Sequence, residues 1–290
     1  MTVALPSRLV SPPPGAVPRE AAVLKLWGDD TSGQVNDSIY VSSDKIQQMV
    51  FSLAPGGSFG HSRDHRTNLG ADEFYYVLSG TLVLANPQTG EVHRLGKGEA
   101  IRFGPDTWHH GFSYGRETLR VLEYFAPPPA TGSSQLYART KPYLDTPTYV
   151  QNEWIGRWPE AAGEARARHT QHVITADDIL WRLEGKEHQI LVGILLSTDE
   201  LTAGRIELLP GQRSDTRIHG GDLTGYVLGG RLNLLLPESP GAGPGNGWFQ
   251  MGGDDGFFVP ASVPYRYYNM TAEPVQLLFG VAPAYLPGHD

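Results

Sequence analysis

Apolar residues occur along the whole chain in short runs, and glycine, proline or asparagine separates the runs. Four runs of strand length cover residues 74–78, 81–85, 119–125 and 276–281. Short apolar runs bounded by turn residues are typical of β-strands. The turn sequence from Asn86 to Gly90 predicts a hairpin after the second run. The pattern therefore indicates an all-β protein.

Only one segment has the features of a helix. Residues 158–170 begin with Trp158 and Pro159 and continue with glutamate, alanine and arginine. Proline is favoured in the first turn of a helix, and alanine and glutamate are good helix formers. The 35 glycines and 23 prolines among the 290 residues fit many turns and few helices. We expect a short helical connector between two β-rich halves.

The two halves of the chain repeat each other. Three short patterns recur at offsets of 155, 150 and 155 residues. The matched pairs are Pro55-Gly56 with Pro210-Gly211, Tyr76–Gly80 with Tyr226–Gly230, and Gly98–Pro105 with Gly253–Pro260. The unequal offsets place insertions in loops, where a duplicated framework of strands tolerates them.

The repeat predicts two domains of similar topology. We place the boundary near residue 150, in a proline-rich and aromatic stretch. The predicted organisation is a flexible N-terminal segment over 1–20, a first domain over 21–150 and a second over 151–290.

Composition and charge exclude several classes of protein. The formal net charge is −8 and the basic residues are scattered, so we expect no nucleic-acid partner. The longest apolar runs are too short for a membrane span, and the N-terminus does not have the pattern of a secretory signal. We therefore expect a cytoplasmic protein. The chain has no cysteine, so any metal must be held by His, Asp or Glu.

The doubled pattern resembles the cupin superfamily, whose members share a small antiparallel barrel and two short motifs. In the first half, Glu73 lies seven residues before Gly80, and His110 lies five residues after Pro105. These spacings match the family's glutamate and second-motif histidine. The resemblance implies two tandem cupin barrels, each a double-stranded β-helix or jelly roll, with Glu73 and His110 as metal ligands.

The His-x-His pair of the first motif is replaced in this chain. Ser62 and Asp64 stand there, with His61 and His65 on either side. We expect His61 and His65 to complete the ligand set. On a straight strand their Cα atoms would be about 13 Å apart, so sharing one ion requires a bend in the chain. His109 is expected to face away from His110 and to be structural, because neighbouring strand residues point to opposite faces.

The second half lacks most of the family's ligands. The first-motif pair is Arg217 and His219, the glutamate position holds Leu223, and the second-motif histidine position holds Tyr265. Leucine cannot coordinate a metal, and a guanidinium repels a divalent cation. We expect a degenerate second barrel without metal, and one divalent ion per chain in the first barrel.

Resemblance to bicupins with a single metal, such as quercetinases, predicts a dioxygenase of a small enolic or phenolic compound. Iron(II) is the first expectation for the ion, with manganese, copper, zinc or nickel as alternatives. The alternative enzyme is a non-redox isomerase, lyase or decarboxylase of a small hydroxy or keto acid, with Glu73 as a catalytic base. The third possibility is a small-molecule-binding protein without activity. A small-molecule substrate and a monomer or homodimer are expected.

Overall fold

The fold is built almost entirely of antiparallel strands. We describe a computed structural model of the chain over residues 12–128, 140–237 and 247–287. Within these ranges the strands of the first half and connector are β1 Gly15–Val17, β2 Val23–Asp29, β3 Gly33–Ser42, β4 Gln47–Leu53, β5 Ser58–Phe59, β6 Asp72–Ser79, β7 Thr81–Ala85, β8 Val92–Gly96, β9 Ala100–Phe103, β10 His110–Ser113, β11 Leu119–Ala126 and β12 Gln171–Ile174.

The second half contributes the remaining strands. They are β13 Leu180–Glu184, β14 Ile190–Ser197, β15 Thr202–Leu208, β16 Asp222–Gly229, β17 Leu232–Leu235, β18 Trp248–Met251, β19 Gly256–Val259, β20 Arg266–Tyr268 and β21 Val275–Ala282. The α-helix α1 covers Ala162–Arg168, inside the predicted helical segment. Three single-turn 3₁₀ helices cover Arg19–Ala21, Asn152–Trp154 and Ala176–Asp178. The predicted hairpin after residue 85 joins β7 to β8.

The strands form two barrels, as the repeat predicts. In the first, a seven-stranded sheet of order β12-β9-β6-β11-β4-β3-β2 accompanies a four-stranded sheet of order β5-β10-β7-β8. In the second, a seven-stranded sheet of order β1-β19-β16-β21-β15-β14-β13 accompanies a three-stranded sheet of order β18-β17-β20. The predicted all-β architecture of two cupin barrels is confirmed.

Three apolar clusters hold the molecule together. One fills the first barrel and includes Phe51 and Val77, and one fills the second and includes Val227 and Phe257. The third combines buried side chains of both halves, such as Tyr124, and therefore joins the two seven-stranded sheets. On β6 the side chains alternate between these environments, because successive residues of a strand point to opposite faces.

Two short strands are exchanged between the halves. β1, from the N-terminal segment, pairs with β19 of the second barrel, and β12, which follows the connector, pairs with β9 of the first. Of the segment predicted to be flexible over 1–20, residues 1–11 lie outside the described residues, and the described part contains a paired strand at Gly15–Val17. The period-2 pattern could not reveal it, because so short a strand does not fill the window in which alternation is recognisable.

Candidate functional site

Glu73 lies inside the first barrel, as predicted. Its strand β6 is central, between β9 and β11, and the alternation that places Tyr75 and Val77 in the barrel core also turns Glu73 inward. The side chain is fully buried, and neither carboxylate oxygen accepts a hydrogen bond from a nitrogen or hydroxyl donor of the described residues. A buried carboxylate without such partners is costly, so this group requires a cation or a proton.

The imidazole next to Glu73 belongs to His109. His109 Nε2 is 3.8 Å from Glu73 Oε2 and 3.2 Å from the Tyr75 hydroxyl, and its Nδ1 is 3.2 Å from the Thr107 carbonyl oxygen. Burial lowers the pKa of His109 to about 4. This residue is therefore a neutral imidazole held in place beside a buried carboxylate.

His110 faces the opposite side. Its Nε2 is 2.5 Å from His61 Nδ1, and its Nδ1 is 2.8 Å from the Tyr149 hydroxyl. The expectation that His109 and His110 point to opposite faces is correct, but the structure places His109, and not His110, beside Glu73. The phase of the alternation is set by the loop before β10, where Asp106 has a left-handed backbone with φ 60°. Spacing from Pro105 alone does not reveal that turn.

The structure does not bring the four predicted ligands together. His61 contacts His110 and, through Nε2, the Leu144 carbonyl oxygen at 2.7 Å. His65 instead lies 3.0 Å from Asp29 through its Nδ1. Asp29 Oδ2 also accepts a hydrogen bond from the Ser62 hydroxyl, so the loop after β5 turns His65 toward β2. The chain does turn here, since the Ser62 N–H donates to the His65 carbonyl oxygen, but the turn leaves the two imidazoles with different partners.

Further acidic side chains surround Glu73. Glu123 lies on β11 opposite Tyr75, and Asp37 lies on β3. Burial raises the pKa of Glu73 well above its usual range, and the neighbouring charge of Glu123 adds to that effect. Burial also raises the pKa of Asp37, to about 7. The sequence carries a signal for Glu123, since it is an acid inside the apolar run 119–125, but our site prediction omits it.

A cavity of about 100 Å³, partly open to solvent, gives access to this cluster. His109, Tyr75, Glu123 and Asp37 line it, whereas Glu73 contacts the lining from outside the cavity. Its wall also contains two cationic and several aromatic or apolar side chains: Lys25, Arg66, Trp27, Phe51 and Phe59. The cavity thus combines an acidic interior with basic groups that approach it from β2 and from the loop before β6.

Glu73 and His109 fit one divalent cation. Ligand atoms that are each about 2.1 Å from an ion are at most about 4.2 Å apart, and these two are separated by 3.8 Å. The unpartnered carboxylate and the neutral imidazole have the donor chemistry that such an ion needs. Glu123 is a further carboxyl group beside Glu73. The ligand atoms of these three side chains are not all within 4.8 Å of one another, so a third bond requires a side-chain shift.

The corresponding region of the second barrel is filled by a paired network. Arg217 donates to the Glu184 carboxylate at 2.8 Å and to the Tyr265 and Tyr285 hydroxyls at 3.1 and 2.9 Å. His219 Nε2 lies 2.7 Å from the Tyr265 hydroxyl. Leu223 is buried in the apolar core, as expected for a position that has lost its carboxylate.

Two other groups of side chains are arranged as metal ligands are. Among the described residues they are the only sets of three or more His, Asp and Glu whose ligand atoms all lie within 4.8 Å: Glu91 with His93 and His169, and Glu187 with His188 and Asp215. Neither set contains a predicted ligand. Both join residues from separate segments, which the spacing along one motif does not reveal.

The described chain also has no helix long and apolar enough to cross a membrane.

Comparison with known proteins identifies the fold. Residues 49–125 match the cupin domain family. The chain is similar to the protein Ylba from E. coli, at 13% identity and a TM-score of 0.61 over 96% of this chain and 94% of that one. It is also similar to an oxalate decarboxylase from Lactobacillus farciminis in complex with formate, at 14% identity and 0.59 over 96% and 88%.

A third similar structure is the Bacillus subtilis oxalate decarboxylase with Mn(II) centres, at 13% identity and a TM-score of 0.55 over 98% of this chain and 80% of that one. A search of the curated protein sequences found no match. The family match and the doubled architecture agree with the motifs of both halves. The match over residues 49–125 and the fold shared by the whole chain support the cupin superfamily, with two cupin barrels in one polypeptide.

Proposed function

We propose that the first barrel is the active site of a metal-dependent enzyme that carries out non-redox acid–base chemistry on a small hydroxy or keto acid. The observation that supports this most directly is the fully buried Glu73 carboxyl group, which has His109 Nε2 at 3.8 Å and a second buried carboxyl group, Glu123, beside it. A group of this kind persists in a fold when it serves a ligand or a reaction. The reaction class is thus an isomerisation, elimination or decarboxylation.

In this proposal Glu73 and His109 hold the ion. A divalent ion there supplies a Lewis acid that polarises an oxygen of the substrate. The Thr107 carbonyl oxygen, 3.2 Å from Nδ1, orients His109 by accepting its N–H, and an ion at Nε2 would displace the Tyr75 hydroxyl, which is 3.2 Å from that nitrogen. The role predicted for Glu73 as a base passes to Glu123, because Glu123 lines the cavity and Glu73 does not. Glu123 would accept or return the proton of a substrate carbon or hydroxyl group.

The cavity wall supports an anionic substrate. Arg66 is nine-tenths buried and lies over the Tyr143 ring, at 4.8 Å from the ring centroid, so its guanidinium is held in place. Lys25 approaches the same cavity from β2. These two cations can bind the carboxylate of a small acid at the mouth of the cavity while its reactive end faces Glu123. The fold is compatible with such chemistry, since one protein that shares it is an oxalate decarboxylase.

The aromatic part of the wall favours a second candidate, the dioxygenase of an enolic or phenolic compound. Trp27, Phe51 and Phe59 form an apolar surface on which a planar ring can lie. For this dioxygenase, iron(II) is the first expectation for the ion. The two candidates differ in their need for oxygen.

The first experiment measures metal per chain in the wild type and in His109→Asn, His110→Asn and Glu73→Gln. We expect one equivalent to be lost in His109→Asn and in Glu73→Gln and retained in His110→Asn. His110→Asn is the matched control, because it removes the adjacent imidazole, which faces the other way. Loss in His110→Asn alone would contradict the proposal.

The second experiment tests the reaction class. The metal-loaded protein is incubated with a panel of small hydroxy and keto acids in D₂O without oxygen, and NMR follows deuterium incorporation and product formation. We expect turnover that disappears in Glu123→Gln. Turnover only with oxygen uptake would replace this proposal with the dioxygenase, and no turnover with either substrate class would leave a binding protein.

A further inference from the structure

A second cluster of metal-binding side chains lies where the connector crosses the first barrel. Glu91 and His93 belong to the β7–β8 hairpin, and His169 follows helix α1. The connector packs tightly on this hairpin, since a Cβ atom on Gly90 would collide with the Val150 carbonyl oxygen. Residues from two distant parts of the chain are therefore held side by side.

The geometry of the cluster suits one ion. One ligand atom from each side chain lies within 4.8 Å of the other two, and His93 Nε2 is 3.8 Å from Glu91 Oε1. The His93 and His169 rings meet edge to face, with centroids 5.0 Å apart. His93 Nε2 is buried and has no hydrogen-bond partner among the described residues. A buried ring nitrogen without a partner, aimed at a carboxylate beyond hydrogen-bond range, has the arrangement of a metal ligand.

Neighbouring groups already hold the ligands in place. The fully buried Glu91 carboxylate accepts hydrogen bonds from the Thr170 and Gln171 backbone N–H groups and from the Thr170 hydroxyl. His169 Nε2 lies 3.3 Å from Gln151 Oε1. Outer hydrogen bonds of this kind orient metal-binding carboxylates and imidazoles and increase their affinity for the ion.

We propose that Glu91, His93 and His169 bind a divalent transition-metal ion, zinc foremost, which fastens the connector to the first barrel. Two imidazoles and one carboxylate form a ligand set that suits zinc and leaves a coordination position for water. The site shares no residue with the proposed active site. Its ion would link the hairpin to the segment that leads into β12, the strand that the second half of the chain contributes to the first barrel.

The other candidate set, Glu187, His188 and Asp215, does not support the same inference. The Asp215 carboxylate accepts hydrogen bonds from the backbone N–H groups of residues 186, 187 and 188. Glu91 accepts bonds of the same kind, but this second set has no buried ring nitrogen without a partner, and Glu187 is exposed. This set therefore supplies a matched control.

The test titrates Co²⁺, a spectroscopic substitute for zinc, into the metal-free full-length chain. His109→Asn is the starting variant, because it removes the proposed active-site ion and leaves the connector site alone. We expect one equivalent with visible d–d absorption in His109→Asn, and at least about 100-fold weaker binding when His93→Asn or His169→Asn is added. His188→Asn should leave the affinity unchanged.

Zinc should also raise the melting temperature of the His109→Asn chain but not that of His109→Asn/His169→Asn. Far-UV circular dichroism of the metal-free variants verifies that each one folds, and His93→Gln replaces any variant that does not. Unchanged Co²⁺ affinity in both connector variants, or loss of binding in His188→Asn, would overturn the proposal. Because the active-site ion depends on His109, either proposal can fail without the other.

Discussion

The two barrels share a framework but treat buried charge in opposite ways. In the first, Glu73 is buried without a hydrogen-bond donor. In the second, the Arg217 guanidinium is paired with a carboxylate and two tyrosine hydroxyls. The first barrel therefore depends on an ion or a proton from outside, and the second pairs its buried guanidinium with its own side chains. The same strand order can thus serve a reactive interior or a closed one.

Neighbouring positions reinforce this difference. Tyr75, which contacts His109, corresponds to Gly225 in the second barrel. The Phe257 ring occupies the space that a side chain at Gly225 would need, so that a Cβ atom there would collide with it. A polar side chain that contacts the candidate ligand His109 has been replaced by an apolar ring. The second barrel interior is correspondingly apolar around Leu223.

The largest effect should come from breaking the network of the second barrel. Arg217→Met leaves the Glu184 carboxylate without its main partner, and we expect a loss of about 3–5 kcal/mol in the free energy of unfolding. The matched control is Arg182→Met. Arg182 also contacts Glu184, at 3.1 Å, but its side chain is 44% exposed, so the loss should stay below about 1 kcal/mol. Urea denaturation measures the free energy of unfolding of both variants. Equal losses would show that Arg217 is no more important to the Glu184 carboxylate than Arg182 is.

The next effect is a pH dependence that the second barrel adds. Burial lowers the pKa of His219 to about 4 from its usual 6.5. Between these values the unfolded chain binds more protons than the folded one, so stability falls as the pH is lowered from 6.5 to 4 and the contribution then levels off. His219→Gln should flatten the curve by up to about 3 kcal/mol relative to the wild type. An unchanged curve would show that His219 is not held neutral.

One pair of substitutions places the same residue at equivalent positions. Glu73→Gln removes a buried ionisable group that lacks a donor, so the metal-free chain should gain about 1–2 kcal/mol of stability at neutral pH. Leu223→Gln places an amide in an apolar core and should cost about 1–3 kcal/mol. Thermal unfolding of both variants provides the measurement. Destabilisation by both would mean that Glu73 is satisfied by the protein itself.

The smallest effect concerns the contact between Tyr75 and His109. Tyr75→Phe removes one hydroxyl contact, and we expect a loss of about 1 kcal/mol in the stability of the metal-free chain. Metal affinity in the first barrel should rise about 5-fold, because an ion at His109 Nε2 no longer has to displace the Tyr75 hydroxyl from that nitrogen. Isothermal titration calorimetry distinguishes this from a purely structural change, which would lower stability alone.

The sequence predicts the fold well because its signals are local and occur twice. The turn at residues 86–90 and the repeated segments near 76 and 226 identify strands and their order without knowledge of contacts. Glu73 follows from the same register. The exchange of β1 and β12 is not predictable in this way, because each strand is very short and finds its partner in the other half of the chain.

The ligand assignment depends on quantities that the sequence does not contain. Whether His109 or His110 faces the barrel is decided by the loop conformation at Asp106. His65 is drawn away by Asp29, 36 residues earlier, and no spacing rule includes that contact. The cluster of Glu91, His93 and His169 is still harder to predict from the sequence, since Glu91 and His169 are far apart in the chain and meet only in the folded protein. Motif spacing thus identifies the position of a site more reliably than its individual ligands.

The exchanged strands determine how this protein can be divided. A fragment that ends near residue 150 would lose β12 and leave β9 as a bare sheet edge, and the complementary fragment would lose β1 and expose β19. Open edges of this kind invite pairing with other chains, so separately produced halves should aggregate. Each half supplies the short strand that pairs with the sheet edge of the other half: β1 with β19, and β12 with β9. A cut placed after β12 would keep the first barrel closed, and co-expression would let β1 of that fragment cover β19 of the other.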